Sequence, residues 1–342
     1  MNKRITLLSL AALGTPIVSS AHEVYVLPLD VIHTAMTNPS PDPFGAYSGN
    51  EFSFFFWAVV ALVMISTVAA ATFFRLFEAR SLPYLMSLKK YALPVARLTA
   101  GISTLSFGLA AALYGTEMPF SSLFGSASTF MQGFFILAGA AITLGVFTRP
   151  FAILLSLVYV YAGYIYGWYV LTYTDHIGLY ILLILLGGGG FSVSRRFRIN
   201  EMQMPNFVER LRPIAFPVMR ACLGFGVLFA SVYAKYLYSS LALNVVTMYH
   251  LTRYFPFDPL FVVLGALIVE FLIGLLIFFG VAIRWTLIFL AIWLTLSLLY
   301  FQELIWPHII LFGLAISLFC HGYDRYSLEG FFLKKGRSEP LL

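Results

Sequence analysis

Charge is scarce in this sequence. Only 11% of its 342 residues are Asp, Glu, Lys or Arg, against about 25% in an ordinary soluble domain. That excludes a soluble globular body, because the chain has too little polar surface to cover itself in water. Cysteine is nearly absent too. Cys222 and Cys320 lie far apart within apolar stretches, without C-x-x-C spacing or a neighbouring His, which points away from a disulfide framework or a cysteine metal site. A phosphate loop, a dinucleotide fingerprint, a nucleophile elbow, a zinc signature and His pairs at haem-bridging spacing are also missing. An enzyme with its own redox centre is therefore disfavoured. Gly187 to Gly190 read as a helix terminus or a close helix contact instead.

What is present is apolar: 60% hydrophobic and 17% aromatic residues, with a mean hydropathy of +0.88. The chain reads as an all-α polytopic membrane protein, its outer surface facing lipid. Residues 1–21 form an expected secretory signal peptide: a basic start, an apolar stretch too short and too broken by Gly14 and Pro16 to span, then Ser19-Ser20-Ala21. The mature chain then begins at His22, whose amine and imidazole could chelate copper with His33 as second donor; a plain polar start after cleavage is the simpler reading. Residues 22–51, ending in a Pro/Gly-rich loop, form an extracytoplasmic segment.

Apolar runs at 52–74, 94–114, 129–147, 151–172, 176–193, 214–237, 259–282, 285–302 and 307–320 predict nine helices, the last short for a span. The formal charge of +6 is distributed as topology and not as a nucleic-acid patch. The inner loops expected from this count carry Arg75, Lys89, Arg149, Arg195, Arg210 and Arg284 among others, and the outer ones Arg253 alone. This places the protein in the cytoplasmic (inner) membrane, mature amino terminus outside and 321–342 as a cytoplasmic tail.

The chain also repeats itself. Ala92-x-Pro94-Val95-x-Arg97-x-x-x-Gly101 recurs as Ala215-x-Pro217-Val218-x-Arg220-x-x-x-Gly224, 123 residues on. Gly139, Gly145, Val146 and Arg149 recur 135 residues on as Gly274, Gly280, Val281 and Arg284, and His176-Ile177-x-Leu179 recurs 132 residues on as His308-Ile309-x-Leu311. Four helices per copy give both copies one orientation, so a parallel repeat is expected rather than an inverted one. The expected architecture is one leading transmembrane helix (52–74) plus two four-helix bundles (75–193 and 214–320), joined by the basic cytoplasmic linker 194–213.

A Pro-led helix with Arg-x-x-x-Gly, a second helix ending Gly-x-x-x-Arg before a sharp turn, and a polar start to the fourth helix resemble the DoxX/DoxD family of small four-helix membrane proteins, twice over across residues 92–320. The resemblance implies a membrane subunit of a redox or envelope-stress complex, since relatives include membrane subunits of thiosulfate:quinone oxidoreductase and membrane partners of oxidative-stress enzymes. Chemistry would then fall to a redox-enzyme partner, with quinone as ligand, no intrinsic cofactor, and membrane lipids as the other contact. A transporter or lipid-handling protein, or a non-enzymatic assembly factor, are the rival readings.

Several polar residues stand inside apolar runs. Glu270 lies mid-run, where a carboxylate is costly and should face the bundle interior with a partner; it is either a proton-handling or ligand-binding group or a structural hydrogen bond. Lys235 either snorkels to the outer surface or pairs with Glu270 or a bound anion, and the family resemblance draws attention to a Lys at this place. His308 and His176 open the fourth helices beside Glu303 and Asp175; they are proton relays or quinone donors, or interfacial helix starts. Tyr159 and Tyr161 are either an aromatic wall for quinone or packing residues. Arg97, Arg220, Arg149 and Arg284 sit near inner helix ends, suited to helix carboxyl termini or lipid phosphates. In the first copy Phe135 replaces Glu270 and Ala112 replaces Lys235, so a single buried site is expected in the second copy.

Overall fold

The computed structural model describes residues 26–27, 29–45, 54–199 and 202–332. The expected signal peptide and His22 lie outside the described residues, as does the side chain of His33. The described chain is helical: α1 (Leu29–Thr37), α2 (Phe54–Ala110), α3 (Ser128–Leu144), α4 (Thr148–Tyr166), α5 (Thr174–Leu186), α6 (Ala215–Val232), α7 (Ser239–Met248), α8 (Pro259–Phe279), α9 (Ile283–Phe301) and α10 (Ile309–His321), with short turns of helix between them. Six segments of the described residues are long and apolar enough to cross a membrane: Arg80–Ala110, Phe120–Leu144, Thr148–Leu186, Arg212–Leu237, Pro259–Phe279 and Ile283–Phe301. The protein is an all-α, multi-pass membrane protein.

Three elements differ from the sequence expectation. The leading helix and the first helix of the first copy are not separated by a loop: α2 is continuous for 57 residues through Pro83 and Pro94. The charges in 75–93 end an apolar run, but Leu, Met, Ala, Arg, Glu and Lys are all good helix formers, so hydropathy stops where the helix does not. A helix, α7, fills what reads as a loop after 237, and it packs on α1 through Ile32, Ala35, Leu241 and Val245. The expected tail also belongs to the fold as far as Gly330: Asp324 and Ser327 are buried, and Glu329 Oε2 accepts the Ala282 amide at 2.6 Å.

Thr148–Leu186 folds back on itself at Gly167 (φ 61°). Arg149 at the start of α4 reaches the Leu185 carbonyl at the end of α5, 3.4 Å away, so α4 and α5 are an antiparallel pair.

The contacts themselves repeat. A Cβ on Gly101 would lie 2.5 Å from the Thr143 amide, and one on Gly224 would lie 2.4 Å from that of Phe278, so α2 meets α3 as α6 meets α8, backbone to backbone, as small residues permit between membrane helices. Both second helices end alike. Gly145 (φ 72°) and Gly280 (φ 68°) take the left-handed turn, and Val146 and Val281 donate back to Ala141 and Leu276, the Schellman arrangement.

The halves exchange partners. α10 packs on α2, and α5 packs on α6. A Cβ on Gly313 would strike Thr99, and one on Gly178 would strike Cys222; Thr99 and Cys222 are 123 residues apart, Gly178 and Gly313 135. Ser317 Oγ donates to the Ala92 carbonyl at 2.8 Å across the same seam. One continuous core, including Ala96, Ile142, Leu179, Leu223, Ile277 and Leu314, serves both halves.

Candidate functional site

The two ends of this bundle carry different chemistry. At one end the four arginines are buried, Arg284 to 1% exposure, and each closes a helix carboxyl terminus, where the last carbonyls lack partners and the helix dipole favours a cation. Arg97 donates to the Gly188 and Phe191 carbonyls beyond α5 at 2.6 and 3.1 Å. Arg220 donates to those of Ile277 and Phe278 at the end of α8, and pairs with Asp324 at 3.2 Å. Arg149 reaches Met202 and Leu185. Arg284 donates to Phe319 at 3.1 Å and to Glu78 Oε1 on α2 at 2.5 Å. Of the two sequence readings, helix capping is the one their hydrogen bonds follow. Tyr323, just past α10, donates to Glu78 Oε2. Burial pushes its phenol up, Glu329 and Glu78 push it further, and Arg284 opposes them.

At the other end the two halves enclose a cavity of about 100 Å³. The second half supplies Lys235, Glu270 and His308, and the first supplies Asp175 and His176. Lys235 stands on a π-helical turn, Tyr233–Leu237, that ends α6, a distortion frequent at functional sites. Its Nζ lies 2.8 Å from Glu270 Oε2, while Glu270 Oε1 accepts from Trp293 Nε1 at 3.3 Å. Lys235 is 4% exposed, so it does not snorkel; a nearby carboxylate makes inward burial the less costly course.

His308 stands behind this pair. Its Nδ1 lies 3.0 Å from the Leu304 carbonyl, which can only accept, so Nδ1 carries hydrogen. Its Nε2 lies 2.9 Å from Glu303 Oε2, and Ser297 donates to Glu303 Oε1 at 2.8 Å. Nδ1 is thus hydrogen-bonded and Nε2 is in ion-pair contact. His176 differs: Nδ1 faces Asp175 Oδ1 at 3.0 Å, whereas Nε2 is buried without a protein partner among the described residues. Tyr114 packs over its ring, centroids 4.3 Å apart.

The two histidines are not equivalent by position. Around them the halves align at a shift of 135, as Gly178 with Gly313, which puts His176 in the first turn of α5 and His308 one residue before α10. The 132-residue match in sequence therefore pairs residues of like type and different place.

Glu270, Lys235 and His308 come together at the cavity, with Lys235 paired to Glu270 and not turned to the outer surface, and Glu303 behind His308. Tyr159 and Tyr161 do not join them: their hydroxyls donate to the Val170 and Leu123 carbonyls at 3.1 and 3.3 Å. The tyrosines that do line the cavity are Tyr169, Tyr173 and Tyr233, and the first two donate to Glu117 Oε1, at 3.1 and 2.5 Å. Glu117, in the turn after α2, was invisible to sequence reasoning, as were Glu78 and Trp293, because nothing in local spacing records a partner over 20 residues away. The tyrosine cluster at 159–173 was the available signal. Cys222 and Cys320 are free, and among the described residues no group of three or more His, Cys, Asp or Glu is arranged to hold a metal ion.

No protein-family model matches this chain, and neither a curated protein nor a solved structure is matched by it.

Proposed function

We propose that this protein is a membrane subunit of a redox or envelope-stress complex, as the resemblance to DoxX/DoxD proteins implies, and that its cavity exchanges protons with a quinone-class carrier. The observation that carries the reading is the convergence of two acid–base pairs, Lys235–Glu270 and Asp175–His176, with His308 on one cavity drawn from both halves. Ionisable groups within a membrane bundle mark proton or substrate pathways, and His and carboxylate groups move protons near neutral pH.

The fit to a quinone is partial and specific. At about 100 Å³ the cavity is smaller than the roughly 150 Å³ that encloses benzene, so it takes the oxygen-bearing edge of a ring with the rest outside. Lys235 and the imidazoles would hold that edge; the carrier itself would supply electrons and protons to a partner enzyme. In this reading the protein resides in the cytoplasmic membrane, amino terminus outside, with membrane lipids around it.

The test is mass spectrometry of lipids and proteins that co-purify with tagged protein in mild detergent. Stoichiometric quinone or a redox enzyme, lost in Glu270→Gln, supports the reading; bulk lipid alone, or the same yield from the variant, overturns it. The second reading, a proton-coupled transporter, draws on the position of the cavity between repeated halves, where transporters hold their substrates. Flux into liposomes abolished by Glu270→Gln would favour it.

A further inference from the structure

The end of the bundle away from the cavity carries its surplus of positive charge on the outside. Each carboxylate described there is engaged within the fold: Glu78 with Arg284, Asp324 with Arg220, Glu209 with Arg149 and Arg212, and Glu329 with the Ala282 amide. Four arginines of the stretch 191–212 are left over. Arg195, Arg196, Arg198 and Arg210 are exposed, and none of them pairs with a carboxylate among the described residues; Glu201 lies outside those residues.

The same stretch exposes large apolar side chains. Phe191, Phe197 and Phe207 are 62%, 72% and 66% exposed, and Met202 and Leu211 are exposed between and after them. Apolar side chains gathered in this way, with polar ones around them, mark a surface of interaction. The stretch is also held in place. Arg97 donates to the Phe191 carbonyl at 3.1 Å and Arg149 to that of Met202 at 2.8 Å, while the Phe191 ring stacks on Tyr91 of α2, centroids 6.2 Å apart. It is thus tied to the ends of the spanning helices, the level at which a membrane bundle meets the headgroup layer.

We propose that the described residues of 191–212 form a binding surface for anionic phospholipids, with the phenylalanines in the acyl boundary and the four arginines on lipid phosphates. A segment that interleaves cations with Phe and Leu binds there through buried apolar area together with attraction to anionic lipid. The arginines alone would suit an acidic soluble protein equally; the phenylalanines among them favour lipid. This surface is separate from the cavity, and its assignment stands or falls without reference to quinone.

The test uses the full chain in phosphatidylcholine vesicles with traces of spin-labelled lipid. Spin-labelled phosphatidylglycerol should associate with the protein about fivefold more than spin-labelled phosphatidylcholine, the measure of one basic contact with an anionic surface, and high salt should shrink the excess. Arg195→Gln, Arg196→Gln, Arg198→Gln and Arg210→Gln combined should bring the two lipids to parity, whereas Arg253→Gln, at the cavity end, should not. Nitroxides attached at Phe197→Cys and Phe207→Cys, in a background of Cys222→Ala and Cys320→Ala, report where these side chains lie. Dissolved oxygen should relax them more than a water-soluble nickel chelate does, and this reading holds even if the fourfold variant fails to fold. Equal association of the two lipids in wild type, or a preference kept by a folded fourfold variant, would overturn the proposal. So would nitroxides relaxed chiefly by the chelate, which would turn this face toward water and an acidic protein partner.

Discussion

At the scale of single residues, the account turns on charges that are buried in pairs. Lys235 and Glu270 are held 2.8 Å apart with side chains 6% and 15% exposed, so removing one member strands the other. Lys235→Met or Glu270→Leu alone should cost about 3–5 kcal/mol, while the double substitution should recover most of that loss; reversible unfolding in detergent micelles measures both. Tyr323 yields a prediction in pH. Its phenol is held above the ordinary tyrosine value of 10.0, by burial first and then by Glu329 and Glu78. The folded state therefore keeps this proton longer than the unfolded one, so the stability it contributes is intact below about pH 10 and is lost as pH rises further. Tyr323→Phe should remove that share of the alkaline loss in a pH series of melting temperatures. Sequence made Glu270 and Lys235 legible because charge inside an apolar run is conspicuous. It left Glu117 and Glu78 unread because each sits at an ordinary polar break, and its worth comes from Tyr173 or Arg284 across the bundle.

At the scale of helices, the repeated Pro, Arg and Gly positions were legible as a pattern, and the contacts give them reasons. The glycines let two pairs of helices touch, and the arginines close helix ends against the same loops in each half. Gly224→Ala and Gly101→Ala should therefore each destabilise by about 1–3 kcal/mol through overpacking, whereas Gly133→Ala, with open space around its Cβ position, should not. The continuity of α2 and the existence of α7 were not legible. Hydropathy marks where apolar runs stop, and residues 75–93 and 239–248 are helices of mixed composition. The π turn carrying Lys235 was equally hidden, since its residues, Tyr233–Leu237, continue the apolar pattern of α6.

At the scale of the whole molecule, a sequence that reads as two units in a row folds as two units that share a core. The first helix of each half lies against the last helix of the other, an arrangement that no property of either half alone reveals. Chains divided within the linker 194–213 should consequently assemble when co-expressed, the two halves purifying together through one tag, and each should aggregate when expressed alone. The same exchange explains why the cavity is composite: α5 delivers Asp175 and His176 where the π turn after α6 delivers Lys235 and α8 delivers Glu270, so the cavity that holds the second half's Lys235 and Glu270 is lined from both halves. The most direct measurement is the quinone retained per protein by wild type, Glu270→Gln and His176→Phe, purified side by side and matched for folding by melting temperature. The account predicts that either substitution, one in each half, removes it. Retention by His176→Phe with loss in Glu270→Gln, or retention by both, would contradict a single site built from two halves.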